Sequence, residues 1–194
     1  MKELVCRCGP SPAQASAEWT AGAEVVELPN GGKILIGGLT RSHRQRYLTA
    51  LNSLSSQTLY LRFLSPIRQI SDAQVDRFFD VGHDGRQALI AVSVDTDEIV
   101  GVARFATDPS RKDRAEIALV VVDAWQFQGV GSILLDRLIE LASRCGYQAL
   151  GGASLAENAV ISSMLRARCF TALTTSLGIT DWDLHLCPTP PSLR

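Results

Sequence analysis

Two glycines and one carboxylate stand where this sequence could do chemistry. Gly129 and Gly131 lie in Val121-Val-Asp-Ala-Trp-Gln-Phe-Gln-Gly-Val-Gly-Ser132, between an apolar run and an amphipathic one. With no Cβ at either position, backbone N–H groups can converge on an anion. The orphan donors and dipole of a helix N-terminus add to them, so a phosphate needs no lysine here. The same Gly-x-Gly spacing also serves plain strand-to-helix packing, and taken alone it leaves both readings open. Glu116 is the one acid inside Ala115-Glu-Ile-Ala-Leu-Val-Val-Val122. A carboxylate in such a strand must reach water or be kept for a purpose. A surface-facing position, or pairing with Arg104 or Arg114, is its structural explanation.

Other chemistries find little support. A P-loop needs Gly-Lys-Ser/Thr where the chain has Gly131-Ser132-Ile133. A dinucleotide fold needs a small residue at Leu134 and an acid at the tip of the next strand, where Ala149-Leu150-Gly151 offers none. His43, His83 and His185 are scattered without ligand spacing, and Cys6-x-Cys8 has no second pair, so no metal is implied. Gly-x-Ser-x-Gly is missing, and neither Cys145 nor Cys169 has an identifiable histidine partner for covalent acyl transfer.

The elements that must position these residues follow from periodicity. Strands are predicted over 33–37, 88–94, 99–105, 115–122, 149–150, 170–175 and 179–186. Helices are predicted from a Thr40 cap through Leu54, from Ser71-Asp72 through Phe79, from the glycine turn to Cys145-Gly146, and over 157–168. The order is β-α-α-β-β-β-α-β-α-β-β, an α/β architecture around one mixed sheet. Residues 1–23 read as a disordered leader, 24–187 as one domain and 188–194 as a tail.

Composition sets the bounds. The 194 residues hold 46% hydrophobic content, enough for one packed core. A net charge of −1 provides no global field toward nucleic acid or an anionic membrane. The longest apolar runs fall far short of the roughly 20 residues that span a bilayer. The odd count of five cysteines, without paired spacing, fits a reducing cytoplasm.

Gln126-x-x-Gly129-x-Gly131, at the end of a buried strand and the start of a helix, resembles the Arg/Gln-x-x-Gly-x-Gly/Ala motif of the GNAT-type N-acetyltransferases. The resemblance runs from about Lys33 to Leu186 and implies a single-domain GNAT-like fold with helices on both faces of the sheet. It implies that Leu119, Val120 and Val121 flank pantetheine. Gln126, Phe127, Gln128, Gly129, Val130, Gly131 and Ser132 would hold the pyrophosphate. Asn158 would touch the cofactor, with helix capping the competing account. Glu116 matches the strand glutamate that acts as general base, which an ammonium acceptor needs at neutral pH.

The implied reaction moves an acetyl group from acetyl-CoA to a primary amine. Leu59-Tyr-Leu-Arg-Phe63, Ala115-Glu116-Ile-Ala and Trp125-Gln126 are also similar to bacterial protein lysine acetyltransferase domains, which are usually fused to a nucleotide-binding or acyl-CoA-synthetase-like domain; no such domain is expected in these residues. Protein lysine is thus the first acceptor and a small amine or amino acid the second, for a monomer or homodimer with no nucleic-acid or membrane partner. Two departures stand out. The family's tyrosine acid would fall near Leu165, and Cys169 replaces the glycine before Phe170, which is expected to alter that turn. A non-catalytic acyl-CoA-binding sensor or interaction module is the alternative. Trp125 could shape the acyl pocket or simply pack.

Overall fold

The computed structural model of the protein describes residues 22–65, 75, 76, 78, 79 and 85–186. In chain order these form β1 (Glu24–Glu27), β2 (Lys33–Gly38), α1 (Arg44–Asn52), α2 (Ser56–Phe63), β3 (Gln87–Ser93), β4 (Ile99–Asp108) and β5 (Arg111–Val121). Then come α3 (Val130–Arg144), β6 (Ala149–Leu155), α4 (Ala159–Arg166), β7 (Thr171–Ser176) and β8 (Ile179–His185). The strands make one sheet in the order β1-β2-β3-β4-β5-β6-β8-β7. All neighbours are antiparallel except β5 and β6, which run parallel.

The pleat of β3 shows how the sheet serves two cores. Leu89 and Ala91 face one, with Leu134, Leu135, Leu138, Leu141 and Ala142 of α3 and Leu165 of α4. Ala88, Ile90 and Val92 face the other, with Tyr47 and Leu51 of α1. Helices therefore lie on both faces, as the 3-to-4 and period-2 spacings require. Gly101 of β4 lets α3 come close, since a Cβ there would stand 2.8 Å from Leu134 Cδ1. Among the described residues, no helix is long and apolar enough to cross a membrane.

The strand count differs from expectation by one, because β1 pairs with β2 ahead of the predicted first strand. The helix predicted from Thr40 to Leu54 forms and ends at Asn52, and a further helix, α2, follows it where none was predicted. The Thr40 amide donates to His43 Nδ1 at 3.0 Å, opening a short 3₁₀ turn (Arg41–His43) before α1. Ser53 then turns its hydroxyl to the Ala50 carbonyl at 2.8 Å, and Ser55 caps a separate helix by accepting from the Thr58 amide. The helix predicted from Ser71 lies outside the described residues except for Val75, Asp76, Phe78 and Phe79; Val75 and Phe79 are buried in the second core. The predicted leader, apart from Gly22 and Ala23, and the predicted tail also lie outside them.

Candidate active site and cofactor cleft

The sheet opens in its middle. β5 and β6 pair only at Arg114↔Ala149, Ala115↔Leu150 and Glu116↔Gly151. Beyond that point β5 continues along β4 to Val121, while β6 continues along β8 to Leu155. Two strand edges thus face each other unpaired across a cleft, and residues 117–121 are half-buried where a central strand was expected to be fully enclosed. Leu119, Val120 and Val121 lie along one wall.

The glycine turn closes the end of that cleft. A short 3₁₀ turn (Asp123–Trp125) leads to Gln126, and Gly129 caps α3 with φ 93°, a left-handed backbone that glycine adopts without strain. The first amides of α3, from Val130, Gly131 and Ser132, point out of the helix as orphan donors. A Cβ on Gly131 would stand 3.4 Å from Val121 Cγ2, 3.7 Å from Leu119 Cδ2 and 3.7 Å from Met164 Sδ. This glycine therefore lies against the β5 wall and α4 together.

The side chains of the turn have different tasks from one another. Gln126 Nε2 donates to Thr58 Oγ1 and to the Val121 carbonyl, each at 3.1 Å. Gln128 Nε2 donates to the Ala124 carbonyl at 2.6 Å, and its Oε1 accepts from Asn30 at 2.8 Å. Both amide side chains brace the turn, and the Gln126 N–H itself donates to the Asp123 carbonyl at 3.2 Å, so the backbone anion donors expected from Gln126 onward begin instead at Phe127. Phe127 is different: it holds φ 60° and leaves its ring 85% exposed. Trp125 packs against the α3 core.

Asp123 is a residue that sequence reasoning missed. Its carboxylate accepts from the Ser55 amide at 3.0 Å, the Ser55 hydroxyl at 2.5 Å and the Thr58 hydroxyl at 2.8 Å. Burial pushes its carboxyl up, and the Ser55 and Thr58 hydrogen bonds outweigh this, leaving it below the ordinary value. Thr58 joins Gln126 and Asp123, so the N-terminus of α2 is tied to the turn. The only local hint was the Ser55-x-x-Thr58 cap.

Asn158 is the N-cap of α4, and its Oδ1 accepts from the Ile161 amide at 3.2 Å. Capping uses the oxygen and leaves the side-chain nitrogen for another partner. Leu165, where a tyrosine acid was sought, is buried at 4% exposure. Cys169 holds φ 65°, so the turn before Phe170 keeps the left-handed geometry despite the missing glycine, correcting the expected change.

Glu116 occupies the last paired position before the strands part, on the α1/α2 face of the sheet. It is not desolvated: its side chain is 65% exposed, with Arg114 Nη1 3.7 Å from Oε1. Arg104 does not pair with it and lies over the Phe78 ring instead. Arg114 is itself held at 3.1 Å by both Asp108 and Asp183, each nearly buried. Burial opposes its charge, but the hydrogen bonds to Asp183 and Asp108 win and raise its guanidinium. Gly151 makes room for this: a Cβ there would stand 1.6 Å from Arg114 Nη2. A glycine across from an arginine was the available signal.

This geometry can hold an extended chain between two strand edges, an anion at the α3 N-terminus and a carboxylate beside the point where the strands part. The model of the acetyltransferase (GNAT) family matches residues 49–161. An acetyltransferase of Pseudomonas aeruginosa is 28% identical over 148 residues, covering 75% of this chain and 79% of its own. The GNAT domain of PAT from S. lividans has the same fold, with a TM-score of 0.79 at 24% identity over 88% of this chain and 98% of that one. The Salmonella typhimurium protein yncA, solved with its cofactor acetyl-CoA, superposes with a TM-score of 0.66 at 19% identity over 80% of this chain and 98% of that one.

Proposed function

The chain belongs to the GNAT family of acetyltransferases, enzymes that use acetyl-CoA, and from that premise we propose that it passes the acetyl group directly to a primary amine in a ternary complex. The parting of β5 and β6 after Glu116 and Gly151 carries this reading, because an extended pantetheine arm fits between two unpaired strand edges. Backbone groups of Leu119, Val120 and Val121 pair with the arm, and a donor among them polarises the thioester carbonyl. The amides of Phe127, Gln128, Gly129, Val130, Gly131 and Ser132 receive the pyrophosphate, and Asn158 reaches the cofactor through its free side-chain nitrogen.

Glu116 takes a proton from the acceptor ammonium, directly or through water. The neutral amine nitrogen then bonds to the thioester carbon, the carbonyl electrons move to oxygen, and their return breaks the C–S bond. CoA leaves as a thiolate, the new amide nitrogen gives up its second proton to solvent, and the thiolate draws its proton from solvent, since Leu165 supplies no acid. Exposure of Glu116 suits this role, because the base must be reachable from the acceptor side of the cleft. The likeness to the PAT domain favours protein lysine as acceptor, while a cluster of cations near Glu116 favours a small amino acid. Free Cys145 and Cys169 are compatible with a reducing cytoplasm. Acetyl-CoA turnover with lysine peptides and free amines tests the proposal; tight acetyl-CoA binding without turnover of any amine would leave the sensor reading in its place.

A further inference from the structure

On the face that carries Glu116, α1 and α2 close over a small cavity of about 10 Å³ lined by Tyr47, Arg62, Phe78 and Arg104, with Ala118 and Val120 of β5 beside it. The Arg62 guanidinium lies 5.0 Å from the Phe63 ring centroid and that of Arg104 lies 4.9 Å from the Phe78 centroid. Burial pushes Arg62 down to about 10 and lowers Arg104, while it pushes the Tyr47 hydroxyl up to about 12. Near neutral pH all three are therefore protonated donors.

Among the described residues, no carboxylate pairs with either arginine, and no acceptor meets the Tyr47 hydroxyl, although Tyr47 is only 4% exposed. Two half-buried cations and a buried hydroxyl without a counter-ion among the described residues are costly. An arrangement of three donors and no acceptor is completed by an anion.

We propose that Tyr47, Arg62 and Arg104 form the subsite for a carboxylate on the acceptor, which makes that acceptor a small amino acid. This rests on the acetyl-transfer reading given above. Arg104 pairs in register with Ala118, and Glu116 lies two residues away on the same face of β5, roughly 7 Å along the strand. A carboxylate held at the arginines thus leaves an amine a few bonds away within reach of Glu116. A cavity of about 10 Å³ has room for about one water-sized group, so only the oxygens of a small anion such as a carboxylate enter it and the rest of the acceptor stays outside, on the side of Glu116. The planar fork of arginine suits that geometry.

The test compares free α- and ω-amino acids with their primary amides as acceptors, using the full chain and saturating acetyl-CoA. Thermal stabilisation by the same compounds, with CoA present, provides a readout independent of turnover. The acids should be preferred over the amides by about tenfold or more in kcat/KM, since a site built around a charged group rejects analogues lacking it. Arg62→Gln should bring that ratio near one by raising KM for the acids, with CoA affinity intact. Tyr47→Phe, a gentler change, should narrow it and serves if Arg62→Gln does not fold. Equal use of acids and amides by the wild type, an equal loss on both in the variants, or turnover of lysine peptides alone would overturn the subsite. If no amine is acetylated while amino acids still stabilise the protein in an Arg62-dependent way, the transfer reading falls and the subsite stands. If they neither react nor stabilise, the subsite falls.

Discussion

At Glu116 a carboxylate keeps contact with water from an interior strand because the neighbouring strand has begun to part from it. Glu116→Gln keeps the shape and removes the proposed base, so transfer should slow by about 10² to 10⁴-fold near neutral pH. CoA affinity should stay as it was, and part of the rate should return as pH rises and the free-amine fraction grows. A wild-type rate across that range would make the residue structural. Asp108 gives a second residue-scale expectation. Hydrogen bonds from the Ser110 hydroxyl and amide, and then Arg114, hold its carboxyl at about 2, below the ordinary 3.8. A depressed folded value means that its stabilising contribution is complete above about pH 4 and is lost as pH falls toward about 2. Urea unfolding from pH 5 to 2 should show that loss in the wild type and a flatter profile in Asp108→Asn. The glycine motif, Glu116 and the cap at Asn158 were legible as residue types at a spacing. The inward turn of Gln126 was not, because its partner Thr58 lies 68 positions away.

Two elements meet at the cofactor turn, and each can be tested. Gly131→Glu places bulk and negative charge where Val121, Leu119 and Met164 converge, so CoA affinity should fall at least tenfold, about 1.4 kcal/mol. Circular dichroism should show the fold kept; unchanged affinity in that folded variant would remove the turn as the pyrophosphate site. Asp123→Ala removes the acceptor for three donors at the start of α2, which should cost about 1–2 kcal/mol of stability. Periodicity located α3 well because its buried leucines, Leu134, Leu135, Leu138 and Leu141, repeat at helical spacing over about two turns. It located the end of α1 to within two residues and missed α2, which starts where Ser53 and Ser55 make side-chain hydrogen bonds that end one helix and cap the next. It also shortened β6, since Gly151 and Gly152 carry no strand signal of their own; the Arg114 and Ile117 side chains fill the space above them.

At the scale of the molecule, eight strands were legible except for short β1, because alternation is local and the pairing of β5 with β6 is not. Their divergence depends on which partner each strand keeps, β4 or β8, and no spacing within either strand encodes that. Hydrogen exchange should report it: amides at Leu119–Val121 and Gly152–Leu155 should gain protection on adding CoA, more than those of β3. The parting also has a bearing on self-association. Unpaired strand edges invite other chains to add on, and proteins usually blunt them with charges or bulges at the rim of a sheet. Here two such edges face each other inside the molecule, each strand paired on its outer side by β4 or β8. With the slender, nearly side-chain-free arm proposed above seated between them, the geometry that would elsewhere seed aggregation would become selectivity for a pantetheine-like ligand.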